Sequence, residues 1–570
     1  MNDQNKRLFL AMVLSAIILI VWQTFFAPPI VEPPAEGSAE VTRKSDGEGA
    51  TGDAAQPEGE GQQKAAAPVV VEPAKKVEVQ SSTLRTPDVH VELSNRGGRL
   101  TGFELQRPEQ YQKAGDLLAA TPEDSKYFPF EVTFQDQVIA LPSDVVYEVV
   151  EAPEQGGALE VDGSGKPVAN HKVAYRYVDP GKRFMIDKIY TVLTANPYTI
   201  ELTLQITNLT ADKTFTDRVG VEVFGYKDPT EEKFFLDFRP DELEGICRTE
   251  ADTERALITG LDKGEAQNYE GSPVSWVGVG TRYFFWGIIP EVAGASYTIE
   301  KVDEDYVGAK LVWPSFTLAP KGVTTFRNTL YTGPKDIDVF GEIGHDLNET
   351  VDYGILTILA KPMRWLLNKF FEFTQNWGLA IILLTLLIKI VTWPFMEKSY
   401  ANAEKMKKVQ PELEALRKTY ENDQQRLSEE TMKLFAERGF NPLGGCLPML
   451  LQMPILYALY VMIMNSVELY QAEFYLWYTD LSAPDPYFVL PILMGAMMII
   501  QQKFMSAATP NPQTKLMMQI MPVMFTGLML FLPSGLVLYY SLNLVLGVLQ
   551  QYLIRRRYAK ADEEEAAAAG

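Results

Sequence analysis

The chain has 570 residues, a formal net charge of -22 at pH 7, three histidines and two cysteines. The length exceeds that of one ordinary domain, and the acidic balance argues against specific nucleic-acid recognition, because nucleic-acid binders present basic surface. The histidines lack the spacing of metal ligands, and the cysteines fall in segments predicted on opposite sides of a membrane, so neither a metal site nor a disulfide is expected.

The N-terminal segment, residues 1–27, is predicted to be an uncleaved transmembrane signal anchor. Its apolar run from Leu8 to Phe26 is longer than the h-region of about 7 to 15 residues in a signal peptide, and Ala27 leads directly into two prolines without a cleavage motif.

Residues 28–80 are rich in Pro, Ala, Glu and Gly. Such a segment cannot bury enough apolar surface to fold, so we expect a disordered linker.

Residues 81–345 predict a large antiparallel β-sandwich domain. Between Ile200 and Thr207, apolar and polar residues alternate with the period of a half-buried strand. Similar strands are predicted at Val219–Tyr226, Val274–Gly280 and Thr324–Tyr331, with turn dipeptides such as Asp179-Pro180 between strands.

Residues 353–375 predict an amphipathic helix lying in the membrane interface. Aromatic residues such as Trp365 and Phe370 share this segment with Arg364 and other basic residues. Lys361-Pro362 is expected to separate it from the following helix, because proline interrupts helical hydrogen bonding. The alternative is that this segment is the start of the next membrane span.

Five further apolar segments have spanning or near-spanning length. They are predicted at residues 377–396, 447–467, 487–504, 516–532 and 536–554. Residues 377–396 are thus the second transmembrane helix, and residues 446–555 contain four more. With the N-terminal anchor, the fold class is a polytopic α-helical membrane protein of six transmembrane helices, in which a five-helix core carries the β-sandwich.

The distribution of basic residues predicts the orientation. The loop 397–445 carries nine Lys and Arg residues, whereas 468–486 carries none. Because cytoplasmic loops are enriched in Lys and Arg, this loop, the tail 556–570 and both termini are predicted in the cytosol, and the β domain in the periplasm. Helical periodicity in the basic loop predicts a hairpin, which is either a simple solvated structure or a docking arm for a cytosolic partner.

Lys389 is the most informative residue of the membrane segments. A lysine inside the apolar run Leu379–Phe395 costs roughly 2.5 to 3.5 kcal/mol, so it needs a partner, water or a route to the interface. Snorkelling is the alternative, but Glu397 lies ~12 Å farther along the helix, about twice the reach of a lysine side chain.

Neutral polar residues in the same spans, among them Thr385, Tyr540 and Asn543, predict a water-accessible groove around Lys389 that opens to the cytosol. The alternative is that each one only joins helices. The many methionines of the spans suit changeable apolar partners, although gap filling between helices also explains them. Catalytic signatures such as G-x-S-x-G, H-E-x-x-H and the P-loop are absent from the sequence, which argues against an enzyme.

The string from Asn441 to Pro448, continuing through Gln452-Met453-Pro454-Ile455, resembles the signature of YidC-type membrane protein insertases. The resemblance extends to Ser466–Leu469, Asp480–Ala483, Leu490–Gly495 and Phe531–Tyr540. It covers residues 353–557, and the anchor and β domain resemble the Gram-negative form more loosely.

The resemblance implies a protein that is not an enzyme and that inserts and folds nascent inner-membrane proteins, alone or with the Sec translocon, without a cofactor. It implies a basic residue of a hydrophilic groove at Lys389, where many relatives carry Arg, and groove-side positions at Thr385 and Tyr540. The client-contacting slide maps to Met453, Leu456, Leu528 and Phe531. The implied partners are nascent membrane proteins, Sec components, membrane lipids and the translating ribosome, which is expected at the basic loop and tail.

Two other functions are compatible with the residues. A secondary transporter would use Lys389 as a substrate or proton site, although the spans show no internal repeat and few carboxylates. A membrane-anchored periplasmic carbohydrate-binding protein or enzyme would instead act through the β domain.

Overall fold

The structure is a computed structural model. It describes residues 77–85, 89–106, 127–153, 171–192, 198–227, 243–269, 273–291, 294–420, 423–438, 447–505 and 512–569. The predicted anchor and nearly all of the predicted linker lie outside these residues.

Nineteen strands are described between Ser81 and Pro334. They are β1 (Ser81–Arg85), β2 (Val89–Ser94), β3 (Arg99–Leu105), β4 (Glu131–Phe134), β5 (Glu148–Glu151), β6 (His171–Val178), β7 (Phe184–Val192), β8 (Thr199–Asn208), β9 (Phe215–Asp217), β10 (Val219–Tyr226), β11 (Glu244–Thr249), β12 (Thr253–Leu257), β13 (Ala266–Tyr269), β14 (Val274–Gly280), β15 (Phe284–Pro290), β16 (Ser296–Asp303), β17 (Tyr306–Val312), β18 (Phe316–Leu318) and β19 (Val323–Pro334).

The strands form two large antiparallel sheets and two small ones. The large sheets have the orders β12-β11-β14-β15-β19-β8-β7-β6-β5 and β13-β16-β17-β10-β4, and the small ones β1-β2-β3 and β18-β9. Leu204 of the nine-stranded sheet and Val221 of the five-stranded sheet belong to one buried apolar cluster. The predicted antiparallel sandwich is therefore confirmed.

Strand β8 shows how the sequence period sets this packing. From Ile200 to Asn208 its even-numbered residues are buried and its odd-numbered residues are half-buried, as the alternation of side chains along a strand requires. Leu202 lies opposite Tyr190 on β7 and Asn328 on β19. The predicted strands β10 and β14 have the predicted bounds, and β19 contains the predicted Thr324–Tyr331.

Eight α-helices are described after the last strand. They are α1 (Ile337–Ile343), α2 (Thr357–Thr374), α3 (Trp377–Thr419), α4 (Gln424–Glu437), α5 (Leu447–Met464), α6 (Val489–Met505), α7 (Pro512–Met529) and α8 (Ser534–Ala569).

The predicted interfacial segment forms a helix of its own, α2, but the prediction that Lys361-Pro362 separates it from the next helix was wrong. Pro362 lies inside α2, so the Lys361-Pro362 pair does not break the helix. The break falls at Gln375, whose φ of 51° is left-handed. Asn376 then starts α3 by accepting a hydrogen bond from the backbone N–H of Leu379 at 3.0 Å.

Within the described part of the chain, two helices are long and apolar enough to cross a membrane, over Trp377–Ser399 and Ser534–Tyr558. Three shorter apolar stretches lie at Leu451–Met464, Val489–Gln502 and Gln519–Met529. The count of six transmembrane helices is therefore not confirmed and stays a prediction. Helix α3 continues without interruption to Thr419, past the predicted end of the second span at Met396, and that end also stays a prediction.

The helices pack around a second apolar cluster. Helix α2 packs on α3 and α5, helix α8 packs on α3, α5 and α6, and helix α6 packs on α7. Gly495 permits the close approach of α6 and α7, because a Cβ at this position would collide with the side chain of Thr526. Large apolar side chains such as Ile390 and Val523 remain exposed on the outside, as lipid contact requires.

The segment after α5 joins the helices to the sandwich. The ring of Tyr470 lies 4.7 Å from that of Tyr283 and 5.9 Å from that of Phe284, both in or beside β15. Val467 is part of the apolar core of the sandwich. Glu468 forms a buried ion pair with Arg364 of α2. Helix α2, the end of α5 and the sandwich therefore meet at one junction.

Candidate functional site

Lys389 lies on α3 and is only 5% exposed. Its Nζ donates a hydrogen bond to Asn543 Oδ1 on α8 at 3.4 Å. Within the described residues no carboxylate lies at ion-pair distance from it. An ammonium group has three donors, and burying them without acceptors is costly, so this site favours water or an acidic group beside Lys389.

The other predicted groove residues, Thr385 and Tyr540, lie on the faces of α3 and α8 that carry Lys389 and Asn543. Thr385 is one helical turn before Lys389, and Tyr540 is one turn before Asn543. Thr385 is buried, and its hydroxyl donates to the carbonyl of Ile381 in its own helix at 2.7 Å, so it is already satisfied. The ring of Tyr540 packs 5.2 Å from that of Phe525 on α7.

Further polar residues on α8 form hydrogen bonds with neighbouring helices. Gln452 Nε2 of α5 donates to the Tyr539 hydroxyl at 2.9 Å. Gln550 Nε2 donates to the carbonyl of Trp393 on α3 at 3.3 Å. The glutamines stand out in apolar sequence, but only the structure shows which helices they join.

Three buried oxygens on α8 have no hydrogen-bond partner within the described residues. They are Ser541 Oγ, Gln550 Oε1 and Gln551 Oε1. Because buried acceptors are nearly always satisfied, these atoms favour ordered water beside α8. Polar residues of α8 therefore extend from Tyr539 through Asn543 to Gln551.

The predicted slide residues lie on two helices. Met453 and Leu456 are on α5, Leu528 is on α7, and Phe531 follows the end of α7. Met453 is 40% exposed, and Leu456 and Leu528 are half-buried at the margin of the apolar cluster of the helices. Met453 is therefore accessible from outside the helices, and both leucines are partly accessible.

The described residues hold no group of three His, Cys, Asp or Glu side chains that could bind a metal ion. The sandwich interior instead holds a buried cation, Lys188 on β7. Its Nζ donates to the carbonyl of Gly97 at 2.9 Å. Burial lowers the pKa of Lys188 to about 7, although nearby Glu131 acts in the opposite direction.

Two family models match the chain. "60Kd inner membrane protein" matches residues 369–562, and "YidC periplasmic domain" matches residues 81–366. The membrane protein insertase YidC of Syntrophobacter fumaroxidans is 32% identical over 97% of this chain and 100% of its own length. The one from Saccharophagus degradans is 38% identical over 66% of this chain and 67% of its own.

Among solved structures, a crystal structure of active YidC insertase with its first transmembrane domain resolved covers 84% of this chain and 93% of its own, with 19% sequence identity and a TM-score of 0.36. The apolar helices and the sandwich together define a membrane protein with a large domain outside the bilayer. The chain belongs to the YidC family of membrane protein insertases.

This membership places the helical part in the inner membrane and the sandwich in the periplasm. The relatives favour an insertase over both the transporter and the carbohydrate-binding protein.

Proposed function

We propose that this chain inserts and folds nascent inner-membrane proteins, alone or with the Sec translocon. The observation that carries the proposal is Lys389, a buried cation whose hydrogen-bond partner among the described residues is the neutral Asn543. A positive charge in a medium of low dielectric constant attracts an acidic residue more strongly than the same charge in water. Lys389 therefore acts as an electrostatic receptor for acidic residues in the translocated tail of a client.

The polar faces of α3 and α8 form the hydrophilic groove of this mechanism. Thr385, Lys389, Tyr540 and Asn543 line it, and the unsatisfied oxygens of α8 support a hydrated path toward the cytosol. A groove of this kind shortens the distance that a polar segment must travel through hydrocarbon. Partitioning of the client's apolar helix into lipid supplies the driving force, so no nucleotide is needed.

The slide receives the apolar helix of the client. Met453 offers a flexible exposed side chain, and Leu456, Leu528 and Phe531 extend the apolar surface. Flexible methionine and aliphatic side chains can repack around clients of different sequence. The polar groove and the apolar slide thus accept different parts of one client.

The proposed domain organisation follows the predicted boundaries. The anchor 1–27, the linker 28–80 and the sandwich 81–345 precede the interfacial helix 353–375, the second span 377–396, the hairpin 397–445, the spans within 446–555 and the tail 556–570. Both termini are cytoplasmic. The basic hairpin and tail face the translating ribosome, the sandwich contacts Sec components, and the exposed apolar helix faces contact membrane lipids.

Site-specific photo-crosslinking to a ribosome-stalled nascent membrane protein tests this function. A photoreactive residue at Met453 or Leu528 is expected to crosslink to the client's apolar segment. Ile492 on α6 is a matched control, because it is apolar and 61% exposed but lies outside the proposed slide. Equal crosslinking from Ile492, or none from Met453 and Leu528 in a folded protein, would contradict the slide.

A further inference from the structure

A cavity of ≈ 300 Å³ lies where the sandwich meets the end of α5. Its polar wall comes from β11 and β12, from the residues that follow β14 and β19, and from the segment before α2: Glu244, Arg255, Arg282, Lys335, Thr350 and Asp352. Its apolar wall includes Leu257 of the sheet edge together with Val461 and Met464 of α5. Because α5 ends at Met464, this cavity lies at the periplasmic end of a membrane helix.

Lys335 is the buried charge of this cavity. It is 3% exposed, and its Nζ lies 3.3 Å from Glu244 Oε1, the one hydrogen bond it makes among the described residues. The same carboxylate oxygen accepts a hydrogen bond from Arg255 Nη1 at 2.9 Å. Burial lowers the pKa of Lys335 to about 8, so the ammonium is still largely protonated at neutral pH. Its remaining donors therefore need further acceptors in the cavity.

The charges of the cavity wall favour an anionic acceptor. Arg255, Arg282 and Lys335 are cationic, whereas Glu244 and Asp352 are the carboxylates. The cations of this wall thus outnumber its carboxylates by one, which favours an anionic group such as a phosphodiester. The neighbouring apolar wall on α5 adds a surface on which an acyl chain can lie.

We propose that this cavity binds the phosphodiester headgroup of an anionic glycerophospholipid from the periplasmic leaflet, with its acyl chains along α5. The site is separate from the groove around Lys389 and goes beyond the proposed insertase activity. It requires only that the helices lie in the inner membrane and the sandwich in the periplasm. A bound lipid would fix the sandwich against the membrane surface through Lys335 and Arg282.

Native mass spectrometry of the full chain, released from detergent, tests the proposal. Phosphatidylglycerol is compared with phosphatidylcholine of the same acyl chains and with inorganic phosphate. We expect selective retention of phosphatidylglycerol. Losing a charged hydrogen-bond donor in Arg282→Gln or Lys335→Met is expected to weaken this retention at least about tenfold. Lys369→Gln is the matched control, because this lysine is exposed on the interfacial helix away from the cavity.

Leu257→Trp keeps the test decisive if the buried Lys335→Met variant does not fold. Leu257 is exposed on the edge strand, so tryptophan can fill the cavity without changing its charges. Loss of phosphatidylglycerol in this variant supports the site. Equal retention of phosphatidylglycerol and phosphatidylcholine, retention unchanged in Arg282→Gln and Leu257→Trp, or displacement by inorganic phosphate at equal concentration would each overturn the lipid assignment.

Discussion

Lys389 Nζ and Asn543 Oδ1 lie 3.4 Å apart although their residues are 154 positions apart in sequence. The contact joins α3 to α8 and sets a buried ammonium group against a neutral amide. A carboxylate partner would neutralise the lysine within the protein, whereas an amide leaves its charge available to a bound client. In the proposed function, this neutral partner leaves Lys389 able to attract acidic segments of a client.

Substitutions at Lys389 test the electrostatic role. Lys389→Arg keeps the positive charge and is expected to retain insertion. Lys389→Ala is expected to slow insertion of clients with acidic translocated tails about tenfold, corresponding to about 1.4 kcal/mol of lost interaction. The measurement is insertion of matched neutral-tail and acidic-tail clients into proteoliposomes.

Lys398→Ala is the control for this series, since Lys398 is an exposed lysine on the same helix. It is expected to leave both clients unaffected. Insertion by Lys389→Glu equal to that of the parent would show that the sign of the charge is irrelevant and that the role is wrong.

Asn543→Leu is expected to destabilise the helical part. The substitution removes the acceptor of a buried ammonium group, which costs about 1 to 3 kcal/mol. Lys389→Met combined with Asn543→Leu is expected to be less destabilised than the sum of the two single variants. Denaturant unfolding of the four proteins in detergent gives the coupling energy, and strict additivity would show that the contact contributes nothing.

The ion pair between Arg364 and Glu468 is expected to be essential to the junction of helices and sandwich. Both side chains are largely buried, so Arg364→Met or Glu468→Leu alone leaves an uncompensated charge and should cost about 3 to 5 kcal/mol of unfolding free energy. The double variant should be more stable than either single one.

Thermal unfolding of the full chain measures these differences. Lys369→Met provides the comparison, because its pair with Glu372 on the same helix is exposed. Such surface pairs contribute about 0 to 1 kcal/mol. A double variant that is less stable than both single variants would refute the proposed role of the pair.

Lys188 predicts a pH dependence of stability. Its pKa in the folded chain is lowered by burial from 10.5 to about 7, so between these pH values the unfolded chain binds more protons than the folded chain. The contribution of Lys188 to stability therefore rises as the pH increases through this window, and below it the buried charge opposes folding.

Lys188→Met should remove this contribution and raise the unfolding temperature most near pH 7. Thermal unfolding of both proteins between pH 7 and pH 10 is the measurement. Lys172→Met is the control, since Lys172 lies on the neighbouring strand in an exposed pair with Glu151. A difference between Lys188→Met and the parent that does not change with pH would contradict the prediction.

Much of the fold is predictable from local patterns in the sequence. The alternation from Ile200 to Thr207 predicts strand β8, since burial of one sheet face needs only a period of two. Helix α2 is less predictable in detail. Pro362 suggests a break, but the chain bends at Gln375, where a left-handed backbone and the cap on Asn376 decide the helix ends.

The candidate site is predictable only in part. Lys389 stands out because a charge in an apolar run is expensive wherever the helix packs. Thr385 is predicted to line the groove, and only the structure shows that its hydroxyl donates within α3. The ion pair between Arg364 and Glu468 was not predicted. A carboxylate next to an apolar segment, as at Glu468, nevertheless indicates that a basic partner is needed.

The sequence by itself determined a β domain followed by apolar helices, and one lysine whose burial in an apolar run is unfavourable. These features can be read locally, because the period of apolar residues and a charge within an apolar run are both visible in a short stretch of sequence. The tertiary structure decided that Lys389 meets Asn543, that Gln452 meets Tyr539, and that Lys335 lines a cavity beside α5. These partners are distant in sequence. Their contacts depend on how whole helices and sheets pack, which no local pattern encodes.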